Sequence, residues 1–184
     1  MAKRKTKPTV DPTRAARAVN FIERLCTHVK GDLANKPFLL EDWQRTYIEQ
    51  LFGTIGSDGL RQYRTSFVFL PRKNGKSNLI AAIGLYLLFG DNEPGAEIYV
   101  AAADREQANA IFEVQKQMVQ NNALLRGKCK IYRNSIVLNN SNSFIKAISA
   151  DASTKHGFNA SAVLYDELHS APNRELWEVL TTST

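Results

Sequence analysis

Gly75-Lys76-Ser77 and Asp166-Glu167 carry the residue types that phosphoryl transfer needs. A lysine ammonium neutralises charge on β- and γ-phosphates. A serine hydroxyl and an aspartate are hard oxygen donors for Mg²⁺, and a glutamate orients and polarises an attacking water. The triplet lies within the stretch "FVFLPRKNGKSNLI", Phe67 to Ile80. A phosphate-binding loop usually reads Gly, four residues, then Gly-Lys-Ser or Gly-Lys-Thr. Here Leu70 stands in place of the first glycine. Leu70 can close a strand instead, and Pro71 fixes the backbone on entry. The amides of Asn74, Gly75, Lys76 and Ser77 remain to cradle phosphate, while Arg72 and Lys73 add positive charge that a plain loop lacks.

The triplet alone is weak evidence, and a basic surface turn is the competing reading. The flanks decide between them. "RTSFVFL" is a short run of Val and aromatics, expected to form a buried strand. "NLIAAIGLYLLFG" is apolar nearly all round, so it is expected to be a helix sandwiched in the core. Strand, loop and helix in this order aim backbone N–H groups and a helix N-terminus at an anion. "AVLYDEL" reads as a second buried strand that delivers Asp166 and Glu167 at a sheet edge beside the loop. Taken alone, an Asp-Glu pair after a strand reads at least as well as a helix cap.

The remaining elements must hold these two segments together. Residues 1–12 read as a basic disordered tail, with Pro8 and Pro12 breaking any helix. A helix is expected from Thr13, with Ala18, Ile22, Leu25, Cys26 and Val29 on its apolar face and Gly31 as its stop. A second begins near Glu41, with Trp43, Tyr47, Ile48, Leu51 and Phe52 on one face, and "GTIGSDG" after it is a loop. "AEIYVAAA" is a strand. Asp104 is placed to cap the next helix, with Gln107 completing a capping box and Ile111, Val114 and Met118 forming its buried stripe. Residues 128–149 read as an antiparallel meander, and "NRELWEVL" as a helix behind Pro172. The pattern is α/β with a mostly parallel sheet flanked by helices, the P-loop NTPase type. It divides into the tail 1–12, a helical segment 13–60 and a core 61–184.

Composition narrows the setting. The formal net charge is +6, part of it on Lys3, Arg4, Lys5 and Lys7. That suits a solvated arm or contact with a polyanion. The apolar run Leu79–Phe89 is too short to cross a bilayer, and the basic start leads into no apolar segment, so no signal peptide is expected. Cys26 and Cys129 lie far apart, in keeping with buried thiols in a reducing compartment. His28, His156 and His169 lack ligand spacing and read as ordinary loop or surface residues.

With both motifs placed, the chain resembles the ATPase part of the large terminase subunit of tailed bacteriophages. "PRKNGKS" and "YDELH" carry the resemblance most specifically. "FLLEDWQRTYI" is similar to the family's adenine-contacting segment, "STKHGFNASAVLYDELHSA" to the stretch through its acidic strand, and the closing "TTST" to its coupling motif. The resemblance implies an ATP- and Mg²⁺-dependent motor that pumps double-stranded DNA into a procapsid in the host cytoplasm. It implies a homo-oligomeric ring, a pentamer, working with a portal protein and a small terminase subunit. In residues, it implies that Gln44 hydrogen-bonds the adenine edge with Trp43 or Tyr47 near the base, and that Arg72 stabilises charge in cis. Thr181, Thr182 and Ser183 would sense the γ-phosphate, and Lys155 (or His156) would act in trans. The family's nuclease domain and further ATPase strands are expected to lie outside this chain, so nuclease activity is not expected of it. A DExH-like helicase fits "DELH" literally, although helicases usually keep the first glycine and a threonine after the lysine. A non-catalytic module binding DNA or a partner is the alternative of another class.

Overall fold

Asp11 starts the first helix, α1 (Pro12–Leu25), by accepting hydrogen bonds from the backbone N–H groups of Thr13 (2.9 Å) and Arg14 (3.1 Å). The computed structural model describes residues 9–71, 74–149, 158–171 and 174–182. Pro12, expected to break any helix, instead opens this one. At the first helical position its missing N–H has no intrahelical acceptor to lose. The helix ends at Leu25, short of Gly31, because Cys26 turns extended. Thr9–Val10 (β1) are not part of a tail but pair antiparallel with Thr54–Ile55 (β2), inside the expected "GTIGSDG" loop. Two-residue strands carry no periodicity by which to be found. The lysines and arginine of residues 1–8 lie outside the described residues.

Helix α2 (Asp42–Gly53) begins as expected beside Glu41, whose backbone N–H donates to Gln44 Oε1 at 3.0 Å. Ile48 and Phe52 are buried, with Tyr47 and Leu51 packed against the core. Trp43 departs from that face and is 40% exposed.

Helix α3 (Lys76–Phe89) is sandwiched as its sequence demands. Leu79, Ala82, Leu85 and Tyr86 are buried in one cluster with residues of α1 and α2 on one side and of the sheet on the other. Gly84 permits the close approach. A Cβ there would lie 2.4 Å from Gln115 Nε2, 2.7 Å from Leu164 Cδ1 and 2.9 Å from Ile145 Cδ1.

The sheet has five strands: β3 (Glu97–Ala102), β4 (Cys129–Ile131), β5 (Ser135–Leu138), β6 (Phe144–Ser149) and β7 (Ala162–Asp166). Their spatial order is β4-β5-β6-β3-β7. β6, β3 and β7 run parallel, and β4 and β5 join antiparallel, so the expected meander is present and continues the sheet. The fold is α/β, with a mixed sheet flanked by helices. Helix α4 (Arg105–Asn121) packs beside α3, followed by the short α5 (Ala123–Gly127). Helix α6 (Glu175–Thr181) covers the opposite face, where Leu176 and Leu180 meet Tyr99, Ala101 and Ile148. Asp104 caps α4 through Gln107 N (2.8 Å). The return half of the expected box is not made, and Gln107 Oε1 has no hydrogen-bond partner among the described residues.

The largest departure is "RTSFVFL". Residues 65–70 form no strand, and Phe67 and Phe69 are 77% and 88% exposed. The sheet ends at β7, and this segment pairs with no strand among the described residues. Without a neighbouring edge an extended run gains neither ladder hydrogen bonds nor burial, whatever its propensity.

Candidate active site

The start of α3 is built to face an anion. Gly75 precedes it at φ 72° and ψ 12°, a left-handed conformation that glycine adopts without strain. No side chain caps this end, no acid stands in the first turn, and the first helical bond runs from Leu79 N to Gly75 O. The early N–H groups of a fourteen-residue helix therefore point outward with its positive dipole end. Asn74 Nδ2 donates to Pro71 O at 3.2 Å. The space over Gly75 is open, the nearest atom to a Cβ placed there being Gln44 Nε2 at 3.7 Å.

Three predicted residues meet at this point. Lys76 Nζ lies 3.0 Å from Asp166 Oδ1 and also hydrogen-bonds Glu167 Oε1. Asp166 ends β7 in register with Ala102 of β3, so the sheet itself delivers it. Burial works against the Lys76 charge, but hydrogen bonds to Glu167 and Asp166 and their negative charges outweigh it. The ammonium is held above the usual lysine range. Glu167 sits in the left-handed region, at φ 49° and ψ 46°, a conformation a side chain beyond Cβ disfavours. The turn Leu168–Ser170 supports it, with Ser170 N (2.8 Å) and Oγ (2.7 Å) both donating to Glu167 O.

Gln44 is buried beside the loop, its Oε1 engaged by Glu41 N and its Nε2 toward Gly75. Tyr47 is half-buried, with its hydroxyl 2.9 Å from Ser66 Oγ; burial pushes its pKa up. Trp43, expected near the base, is 40% exposed on α2. Thr181 Oγ1 donates to Trp177 O and Thr182 Oγ1 to Glu178 O, each at 2.8 Å, so both hydroxyls bond back along α6. Arg72, Lys73, Lys155, His156 and Ser183 lie outside the described residues. His169, expected to be an ordinary surface residue, places its Nδ1 3.3 Å from Glu167 Oε2. Spacing alone does not signal this contact, which the turn Leu168–Ser170 creates. His28 packs edge-on against Phe38 and has Asn78 Nδ2 3.4 Å from its Nδ1. Among the described residues no group of three His, Cys, Asp or Glu could hold a metal. Mg²⁺ asks for less, one or two carboxylates with phosphate oxygens and waters. Asp166 already attracts a cation, the Lys76 ammonium, and Ser77 stands in the adjoining helical turn, so the donor set fits.

Comparison with known proteins agrees with this geometry. The family described as "Terminase large subunit, ATPase domain" matches residues 42–184. The large terminase subunit of Enterobacteria phage HK97 is 30% identical over 177 residues, covering 93% of this chain and 34% of that protein. A crystal structure of the HK97 large terminase superposes with a TM-score of 0.79 at 28% identity, over 93% of this chain and 35% of that one. The large terminase ATPase domain of Thermus phage P74-26 gives a TM-score of 0.50 at 21% identity, over 61% and 51%, a likeness of fold. The chain thus spans about a third of the length of its HK97 relative. No helix among the described residues is long and apolar enough to cross a membrane. On the match from residue 42 to residue 184, this chain belongs to the family of terminase large-subunit ATPase domains.

Proposed function

We propose that this site hydrolyses ATP and that the hydrolysis drives double-stranded DNA into a procapsid. The observation that carries the reading is the meeting of Lys76, Asp166 and Glu167 at the uncapped start of α3. In this reading the triphosphate competes with the two acids for Lys76. Its β- and γ-phosphates take the ammonium and the N–H groups of Asn74, Gly75, Lys76 and Ser77. Ser77 and Asp166 would hold Mg²⁺, whose role is to neutralise charge between the β- and γ-oxygens. Glu167, released from Lys76, orients the attacking water. Gln44 hydrogen-bonds the adenine edge with Trp43 or Tyr47 near the base, and Pro71, Arg72 and Lys73 complete the loop, Arg72 stabilising charge. Thr181, Thr182 and Ser183 couple the γ-phosphate to DNA-gripping parts, and Lys155 acts across a ring of subunits. The ring is a pentamer, and its partners are a portal protein and a small subunit in the host cytoplasm.

The test is Glu167→Gln, followed by binding of a fluorescent ATP analogue and by phosphate release. The variant should bind nucleotide like the parent while turnover falls by about 10²–10⁴. Unchanged turnover would remove Glu167 from its role.

A further inference from the structure

The face of the sheet opposite α3 and α4 is only partly covered. Helix α6 and Phe158 pack over Tyr99, Ala101 and Ile148. Phe144 and Ile148 of β6 share in that packing, whereas β4 and β5 have no such cover among the described residues. Lys130 stands opposite Val137, Val137 opposite Phe144, and Ser135 opposite Lys146. By the alternation of strands these side chains share one face, while Ile136 and Ile145 point to the buried core. Lys130 and Lys146 are exposed, and Tyr132 and Arg133 are exposed at the adjoining turn. A shallow concavity beside them is lined by Lys130, Tyr132, Val137, Leu138, Asn139 and Asn140.

The charge of this segment is one-sided. Between Glu113 and Asp151 the chain has Lys116, Arg126, Lys128, Lys130, Arg133 and Lys146 and no acid at all. That equals the formal net charge of the whole chain, +6, so the rest of the sequence sums to zero. Lys116 pairs with Glu113, and Arg126 donates to Gln120 O. Lys128, Lys130, Arg133 and Lys146 form no ion pair among the described residues. Glu97 of β3, opposite Phe144, shares this face at its β3 margin. Its carboxylate is engaged by the Tyr99 hydroxyl (2.8 Å) and by Asn159 N (3.4 Å).

We propose that the basic outer face of this meander is a docking surface for the sugar-phosphate backbone of duplex DNA, with Lys130, Arg133 and Lys146 as its phosphate-binding side chains. Strand spacing and register put Lys130 and Lys146 about 12 Å apart, a span matching a few phosphates at roughly 3.4 Å of axis per strand. Tyr132, Asn139 and Asn140 add hydrogen-bond donors of the kind that fix a backbone without reading sequence. One exposed aromatic does not make the row of stacking platforms that a single strand requires, which favours the duplex. The partner's identity rests on the packaging reading; the surface itself rests on the charge and the open face.

The experiment measures binding of a fluorescein-labelled mixed-sequence duplex to the 184-residue chain by anisotropy over a range of salt, beside binding of a fluorescent ATP analogue. The triple variant Lys130→Glu, Arg133→Glu, Lys146→Glu should lose at least about tenfold in duplex affinity. Its log–log salt slope should fall by about 2–3, since each phosphate that a cation neutralises is worth about 0.9. Its nucleotide binding should be unchanged. If the triple variant does not fold, Lys130→Gln and Lys146→Gln singly should each lower the slope by about 0.9. Deletion of residues 1–8 checks the basic tail, and duplex binding that vanishes with the tail but ignores the variants overturns the proposal. So does tighter binding of single-stranded DNA, or no duplex binding by the parent chain. In the last case, intact nucleotide binding leaves the ATPase reading standing, whereas duplex binding without nucleotide binding sinks that reading and keeps the surface.

Discussion

Lys76→Ala removes a cation that Asp166 and Glu167 share. At 3.0 Å from Asp166 Oδ1 and an effective dielectric of about 20, the gross attraction is about 5.5 kcal/mol. Water returns most of it, since the side chains of Lys76, Asp166 and Glu167 are 29%, 12% and 37% exposed. Exposed pairs contribute about 0.2–1 kcal/mol, whereas breaking a buried pair costs about 3–5. This site lies between those limits, so the expected loss is about 1–3 kcal/mol. For a chain of this length that lowers Tm by about 2–12 °C. The pH dependence has a definite sign. Lys76 is held above 10.5 in the fold, so its contribution is complete below the unfolded value and lost only as pH rises through the folded one. The gap in Tm between parent and variant should therefore stay constant from about pH 7 to 9 and close only above about 10.5. Circular-dichroism melts at these pH values measure it. Binding of a fluorescent ATP analogue with Mg²⁺ should fall about 10–100-fold, the worth of a charged hydrogen bond to phosphate. A variant that melts with the parent and binds nucleotide equally well would refute the reasoning.

Gly84→Ala gains about 0.8–1 kcal/mol of helix propensity but forces Gln115, Leu164 and Ile145 apart at about 1–3 kcal/mol, so a net loss of up to about 2 kcal/mol is expected; a higher Tm contradicts the close packing of α3. Asp11→Ala strips the acceptor from Thr13 N and Arg14 N and should cost about 1 kcal/mol in urea unfolding, with no change in nucleotide binding. Burial pushes the Cys26 thiol up to about 12 and raises Cys129 as well, so at pH 8 a disulfide reagent should label neither thiol until denaturant is added.

Much of the site was legible because the chemistry selects residue types. Lysine at 76 and acids at 166 and 167 mean little apart, but a strand ending in acids and a glycine at a helix start admit few arrangements in an α/β fold. Helices α2 and α4 could be read from their apolar period, and α3 from an unbroken apolar run ending at a glycine, all properties of the segment itself. The strand expected at 64–70 could not, because a strand exists only if another edge meets it, and no pattern within the segment says so. Pro12 misled for the opposite reason: it breaks a helix from within and favours one at its first position, and only Asp11 before it distinguishes the cases. The Glu167–His169 contact was hidden because it depends on the tight turn that follows β7.

The left-handed backbone at Glu167 has a consequence for how this chain trades stability against chemistry. A conformation of this kind costs on the order of 1 kcal/mol for a residue with a Cβ, and glycine would relax it. In the proposed reaction the carboxylate at this bend is the group that orients water, and its bond to Lys76 offsets part of the backbone strain that places it.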